Sequence, residues 1–271
     1  MQELLSHPAV QAGLAPFIAA LITAELFRRI QLSGLAIIAG FALTIYLVSN
    51  FTLEPLTATR KIVLLGLISA ALGLLLTLIR LSWFSFLLPI LGAAAAVWTV
   101  SGVIMHQTPQ VMLLWGAGCA AYVAALVWGM GGLEHASPRA ASAAAALGIG
   151  TGGAALFGAS ALLGQFGLAL GAAAGAHLLI QILSNKTLPA GHVFTLPVAM
   201  IAGLTGCVAV LNAQLPWYVL PVLAFIPFVP RLVPLHGKSV RIQGQAYTLL
   251  MSVCAGGAIF LTWQVAGGIP L

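Results

Sequence analysis

Aspartate is absent from this 271-residue chain, and the only acids are Glu3, Glu25, Glu54 and Glu134. Charged residues of both signs make up 5 % of it, against about a quarter in an ordinary soluble domain. Without paired acids there is no cluster of the kind that metal-dependent prenyl or phosphoryl transfer requires. Cysteine is scarce as well. Cys119, Cys207 and Cys254 sit in apolar runs without CxxC spacing, so neither a disulfide framework nor a zinc site is expected. No H-E-x-x-H, G-x-S-x-G or phosphate-binding loop occurs, and no enzymatic activity is expected. No polar stretch exceeds about 15 residues, which leaves no room for a soluble domain. The N-terminus lacks a basic stretch and a small-residue cleavage site, so the first apolar run is expected to be retained.

What remains is apolar. Hydrophobic residues are 61 % of the chain and the mean hydropathy is +1.12. Runs of roughly 20 apolar residues recur along its length, as in membrane-spanning helices. Ten spans fit: about Val10 to Phe27, Leu32 to Val48, Ile62 to Ile79, Phe84 to Ile104 and Val111 to Gly131, then Ala140 to Leu163, Gly167 to Leu183, Pro197 to Leu211, Trp217 to Leu235 and Ala246 to Val265. Gly164-Gln165 is the expected turn between the sixth and seventh. The ninth carries Pro221, Pro227, Pro230 and Pro234 and is expected to kink or break.

Ten Lys and Arg outnumber four Glu, but they stand singly in loops, which speaks for topology and against nucleic-acid binding. With ten spans, Arg28, Arg29, Arg80, Arg139, Lys186, Arg231, Lys238 and Arg241 share one face, and Arg60 and Lys61 lie on the other. The positive-inside rule places the eight in the cytoplasm and both termini outside, in what is expected to be a bacterial inner membrane.

An internal repeat organises the chain. Ser49-Asn50-Phe51-Thr52-Leu53 returns as Ser184-Asn185-Lys186-Thr187-Leu188 at an offset of 135 residues, and Ala9 to Leu53 matches its counterpart at fifteen of forty-five positions. Chance from composition would give roughly one in ten. Rarer residues agree: Gln110 maps onto Gln245, Cys119 onto Cys254 and Trp128 onto Trp263. Residues 1–135 and 136–271 thus read as two five-helix repeats. An odd number of spans per repeat inverts the second copy, a layout that recurs in secondary transporters with the site between the halves. The size and the five-plus-five layout resemble those of the drug/metabolite transporter superfamily, a likeness of architecture.

The expected fold is an all-α polytopic membrane protein. Several residues are candidates for its function. Ser49, Asn50, Thr52, Ser184, Asn185 and Thr187 either cap span ends through bonds to nearby backbone or line a cavity where a helix unwinds. Glu25 is the carboxylate inside a span; it either carries a proton or pairs with Arg28 and Arg29 one turn on. His177, with Gln181 on the same face, is a proton relay, a solute contact or a bond between helices. No second His has the spacing of bis-histidine haem ligation, and neither a cofactor nor a metal is expected. The glycine series Gly148/Gly152 and Gly167/Gly171/Gly175 mark close helix approach. Trp128 and Trp263 read as anchors at the interface.

The leading expectation is a secondary carrier of a small neutral or anionic solute, working by alternating access, with Glu25 or His177 as proton-coupling groups. The other is a non-transporting subunit or scaffold that meets a membrane partner or a second copy through its glycine-rich sixth and seventh helices.

Overall fold

A backbone in hydrocarbon must satisfy its own polar groups, and the apolar runs do so by forming helices. The computed structural model describes residues 7–49, 51, 54–79, 82–212, 215–235 and 237–266. Among them there are helices and no strands. Eight helices are long and apolar enough to cross a membrane: α1 (Val10–Ile30), α3 (Ala58–Ile79), α4 (Phe84–Ile104), α5 (Pro109–Gly131), α6 (Ser137–Gly158), α7 (Ala161–Ser184), α8 (Gly191–Asn212) and α10 (Val240–Ala266). Two are shorter: α2 (Ser33–Ser49) and α9 (Val219–Leu232). The chain is thus a multi-pass membrane protein, with ten apolar helical segments where the sequence predicts ten spans.

Proline shapes α9. A 3-10 turn at Ile226–Phe228 with Pro227 near its start divides the segment, and Pro230 opens the short helical turn after it. Pro lacks the amide that a continuous helix needs. The turn between α6 and α7 is not at Gly164-Gln165 but at Ala159-Ser160. Ser160 is extended, and its hydroxyl accepts the Leu163 amide at 3.3 Å as an N-cap. Gly164 lies inside α7, where it lets the helix approach Leu156 of α6.

Connections group at two ends of the bundle. At one end the α5–α6 linker meets the start of α8, the α7–α8 connection meets α2 and α6, and Asn185 meets the start of α10. Arg28, Arg29, Arg139, Lys186, Arg231, Lys238 and Arg241 belong to this basic end. At the opposite end Gln11 donates to the Leu47 carbonyl, and Lys61 donates to the Trp98 carbonyl at 2.8 Å while lying over the Trp98 ring.

The halves share the interior unequally. The most apolar stretch of α8 is 100 % buried and that of α6 is 83 % buried, whereas those of α3 and α1, which the 135-residue sequence offset aligns with them, reach 39 % and 22 %. Glycine makes the close centre possible. A Cβ at Gly148 or Gly152 would run into the backbone of Gly171 or Gly167 across the α6–α7 contact. Both glycine series therefore face each other inside one chain, apart from Gly175, and are not presented to a partner. Helix α8 packs on α2, α3, α4, α5, α6 and α7, and α6 also packs along α10.

Candidate functional site

Three side chains in the interior form a directed chain of hydrogen bonds. Ser33 opens α2, while His177 and Gln181 lie one turn apart on α7; all three are fully buried. The Ser33 hydroxyl donates to the Pro189 carbonyl at 3.0 Å. His177 Nε2 lies 3.4 Å from Ser33 Oγ, and Gln181 Nε2 donates to His177 Nδ1 at 3.0 Å. With Nδ1 accepting, the ring hydrogen is on Nε2, and every donor in the chain points towards Pro189. Phe194 of α8 covers the imidazole, ring centroids 4.7 Å apart. One group is left over: the Gln181 carbonyl oxygen is buried without a partner. An unpaired buried acceptor costs roughly 1–3 kcal/mol.

The segment between α7 and α8 lies directly over this chain. Leu188 and Ala190 are buried although they belong to a connection. Ser137 donates to the Leu188 carbonyl, Ser33 to the Pro189 carbonyl, and the Gly191 amide to the Glu134 carbonyl. Two glycines beneath it, Gly34 and Gly73, let it sit low. A Cβ at Gly34 would come within 2.7 Å of the Ala190 carbonyl oxygen, and one at Gly73 within 2.5 Å of the His192 carbonyl oxygen. Gly191 takes φ +60°, a conformation open to glycine.

A second polar cluster adjoins it. Glu134, in the linker between the halves, meets His192 in the first turn of α8, Oε2 to Nε2 at 2.8 Å. Its other oxygen meets the exposed His135 at 3.2 Å, and Ser85 Oγ lies 3.3 Å from the same His192 Nε2. His192 Nδ1 is buried with no partner. A nucleophile–base–carboxylate triad uses the two imidazole nitrogens separately. Here serine and carboxylate share one nitrogen, which fits a tether and not an activated serine. Sequence reading passed over Ser33, Ser85, Glu134 and His192, because no local spacing joins residues so far apart in the chain.

The other predicted residues lie elsewhere. Arg28 reaches both oxygens of Glu25, at 3.0 and 3.2 Å, on an exposed surface. Ser49 and Ser184 each donate to the carbonyl four residues back, Ile45 and Ile180, so the two motif copies match in this detail. Asn185 ends α7 in the left-handed conformation, and its side-chain oxygen accepts the Arg241 amide at 3.1 Å. Asn185 and Thr187 are exposed. Asn50 and Thr52 lie outside the described residues. Ser49 also lines a cavity of about 280 Å³ at the end opposite the basic one, with Thr57, Thr59 and Arg60 of the first half and Leu162 and Phe166 of α7. His177 and Gln181 are therefore together, the second motif copy begins within a turn of Gln181 at the end of α7, and Ser49 lies at the opposite end of the bundle. Among the described residues no three of His, Cys, Asp or Glu are placed to hold a metal ion. Comparison with protein-family models and with curated proteins finds no match.

Proposed function

We propose that the chain is a secondary carrier of a small neutral or anionic solute, working by alternating access between two inverted five-helix halves in a bacterial inner membrane. One observation carries the reading: the buried chain Ser33–His177–Gln181 crosses from the first half to the second and ends in an unpaired acceptor. Polar groups inside a membrane bundle are costly and mark solute or proton paths. The Gln181 oxygen invites a donor, such as a solute hydroxyl or amide. Ser49, Thr57, Thr59 and Arg60 add hydroxyls and one cation to the otherwise apolar wall of the cavity at the other end, groups that the same solutes could meet.

The sequence repeat supports the inverted arrangement, as do the contacts between counterparts, α2 with α7 and α3 with α8. The axis relating the halves runs through these pairs. The α6–α10 contact has no comparably extensive α1–α5 counterpart, and that departure leaves the first half the more exposed. In this reading the α7–α8 connection closes the basic, cytoplasmic end, and both termini are outside. His177 and Glu25 are the proposed proton-coupling groups, and Ser49, His177 and Gln181 the solute-facing ones. Ser184, Asn185 and Thr187 act at the closed end. We propose no enzymatic activity.

The test is counterflow in proteoliposomes with panels of small neutral and monoanionic solutes. Saturable flux that Ser33→Ala and Gln181→Leu abolish is the expected result. Proton coupling predicts that Glu25→Gln with His177→Ala flattens the pH dependence of uptake. A stoichiometric membrane partner recovered with the chain, and no flux of any solute, would leave the scaffold reading instead. Its partner surface would then lie on the exposed first half, because the glycine faces of α6 and α7 are occupied.

A further inference from the structure

Cys119 of α5 and Cys207 of α8 are 1 % and 0 % exposed, and one comes from each half. The Cys207 thiol donates to the Cys119 carbonyl with sulfur and oxygen 3.8 Å apart, which sets the two cysteines side by side across the α5–α8 contact. Glycine again permits the approach: a Cβ at Gly203 would meet Val123 at 3.0 Å, and one at Gly206 would meet Tyr122 at 3.1 Å. Cys119 stands near the middle of the 23-residue α5, ten residues or ~15 Å from its start and so about midway through a bilayer. It belongs to the wall of an open, almost wholly apolar groove of about 580 Å³ between α5 and α9, beside Trp115, Tyr122, Trp217 and Pro221. Grooves that hold small molecules are of this size and lining.

We propose that Cys119 and Cys207 form a redox-active dithiol that a lipid-soluble quinone, reaching it from the bilayer through the α5–α9 groove, oxidises to a disulfide joining the two halves. Both S–H bonds break and one S–S bond forms. The two electrons and two protons pass to the two carbonyl oxygens of the quinone, which departs as the quinol. Three observations select this chemistry. The depth and apolar wall of the groove keep charged, water-borne disulfides from the thiols. Its aromatic residues offer faces on which a planar ring stacks. The product suits its surroundings, since a disulfide is neutral. A soft monovalent ion such as Cu(I) bridging two thiolates would leave a net negative charge, and no cationic side chain lines the groove to offset it. The proposal stands independently of solute transport.

The experiment exposes the whole chain in lipid nanodiscs to a short-chain benzoquinone, then counts free thiols after denaturation and maps the linked peptides. The chain has three free thiols, Cys119, Cys207 and Cys254. The expected result is loss of two, a single Cys119–Cys207 link and one quinol formed per chain. Cys254→Ser should leave the reaction intact and Cys119→Ser should abolish it. Ala224→Trp, which narrows the groove without touching either cysteine, should slow oxidation by the quinone and spare oxidation by the small azo reagent diamide. Three thiols surviving the quinone, a link through Cys254, or oxidation by diamide alone would each overturn the proposal.

Discussion

Glu134 Oε2 and His192 Nε2 lie 2.8 Å apart and tie the linker between the two halves to the first turn of α8. Both side chains are mostly shielded, at 21 % and 13 % exposure, so solvent weakens this contact less than it weakens the exposed Glu25–Arg28 pair.

Breaking the tether should therefore cost more than breaking the surface pair. Glu134→Ala is expected to destabilise by roughly 1.5–3 kcal/mol, the range for hydrogen bonds to charged groups. Glu25→Ala should cost no more than about 1 kcal/mol. Equilibrium unfolding in detergent, with His192→Ala closing a double-mutant cycle, measures the coupling. A cycle that sums to zero would show that the 2.8 Å contact contributes nothing.

The buried chain permits a test that separates architecture from function. Ser33→Ala strands the Pro189 carbonyl and His177 Nε2 and should cost roughly 1–3 kcal/mol. Replacing the three side chains together, as Ser33→Ala, His177→Phe and Gln181→Leu, removes the stranded imidazole and the unpaired Gln181 oxygen, leaves the Pro189 carbonyl as the unpaired group, and should cost less than Ser33→Ala alone. Flux should nevertheless vanish in the triple variant. Stability and flux falling in parallel would reduce the chain to a fold element.

At the α6–α7 contact, Gly152→Val should prevent accumulation of folded protein, because the new side chain would meet the backbone of α7. Gly175 sits on the same helix as Gly167 and Gly171, but a Cβ there meets nothing within 4 Å. Gly175→Ala should instead stabilise by up to about 1 kcal/mol through helix propensity. Thermal unfolding of the two variants compares them directly.

Asn185 combines a left-handed backbone with a bond to the Arg241 amide. Asn185→Gly keeps the backbone and loses the bond, whereas Asn185→Leu loses both. The leucine variant should be the less stable by roughly 1 kcal/mol, the cost of placing a side chain in that conformation. Equal losses in thermal unfolding would show that the bond to α10 is all that matters.

Helix existence was legible because lipid leaves the backbone few alternatives, and the apolar runs therefore located every segment. The α6–α7 turn was misplaced because Ala, Gly and Leu run through it without a break. The signal was Ser160, a side chain able to cap, which outweighed the glycine at 164. His177 and Gln181 could be read together since four residues make one helical turn. Glu134 and His192 could not, because their meeting depends on how α5, α6 and α8 assemble. The repeat aligned Cys119 with Cys254, yet the neighbour of Cys119 in space is Cys207, which a one-dimensional alignment has no means to select.

The deep burial of α6 and α8 also governs how freely the two halves can drift in sequence. A substitution on α1 or α3 meets lipid over most of its surface, and lipid accepts almost any apolar shape. The same substitution on α8 must fit six neighbouring helices at once. Homologues should therefore diverge faster in the first half, and the repeat should fade from its α1 and α3 side while α6 and α8 hold their small residues.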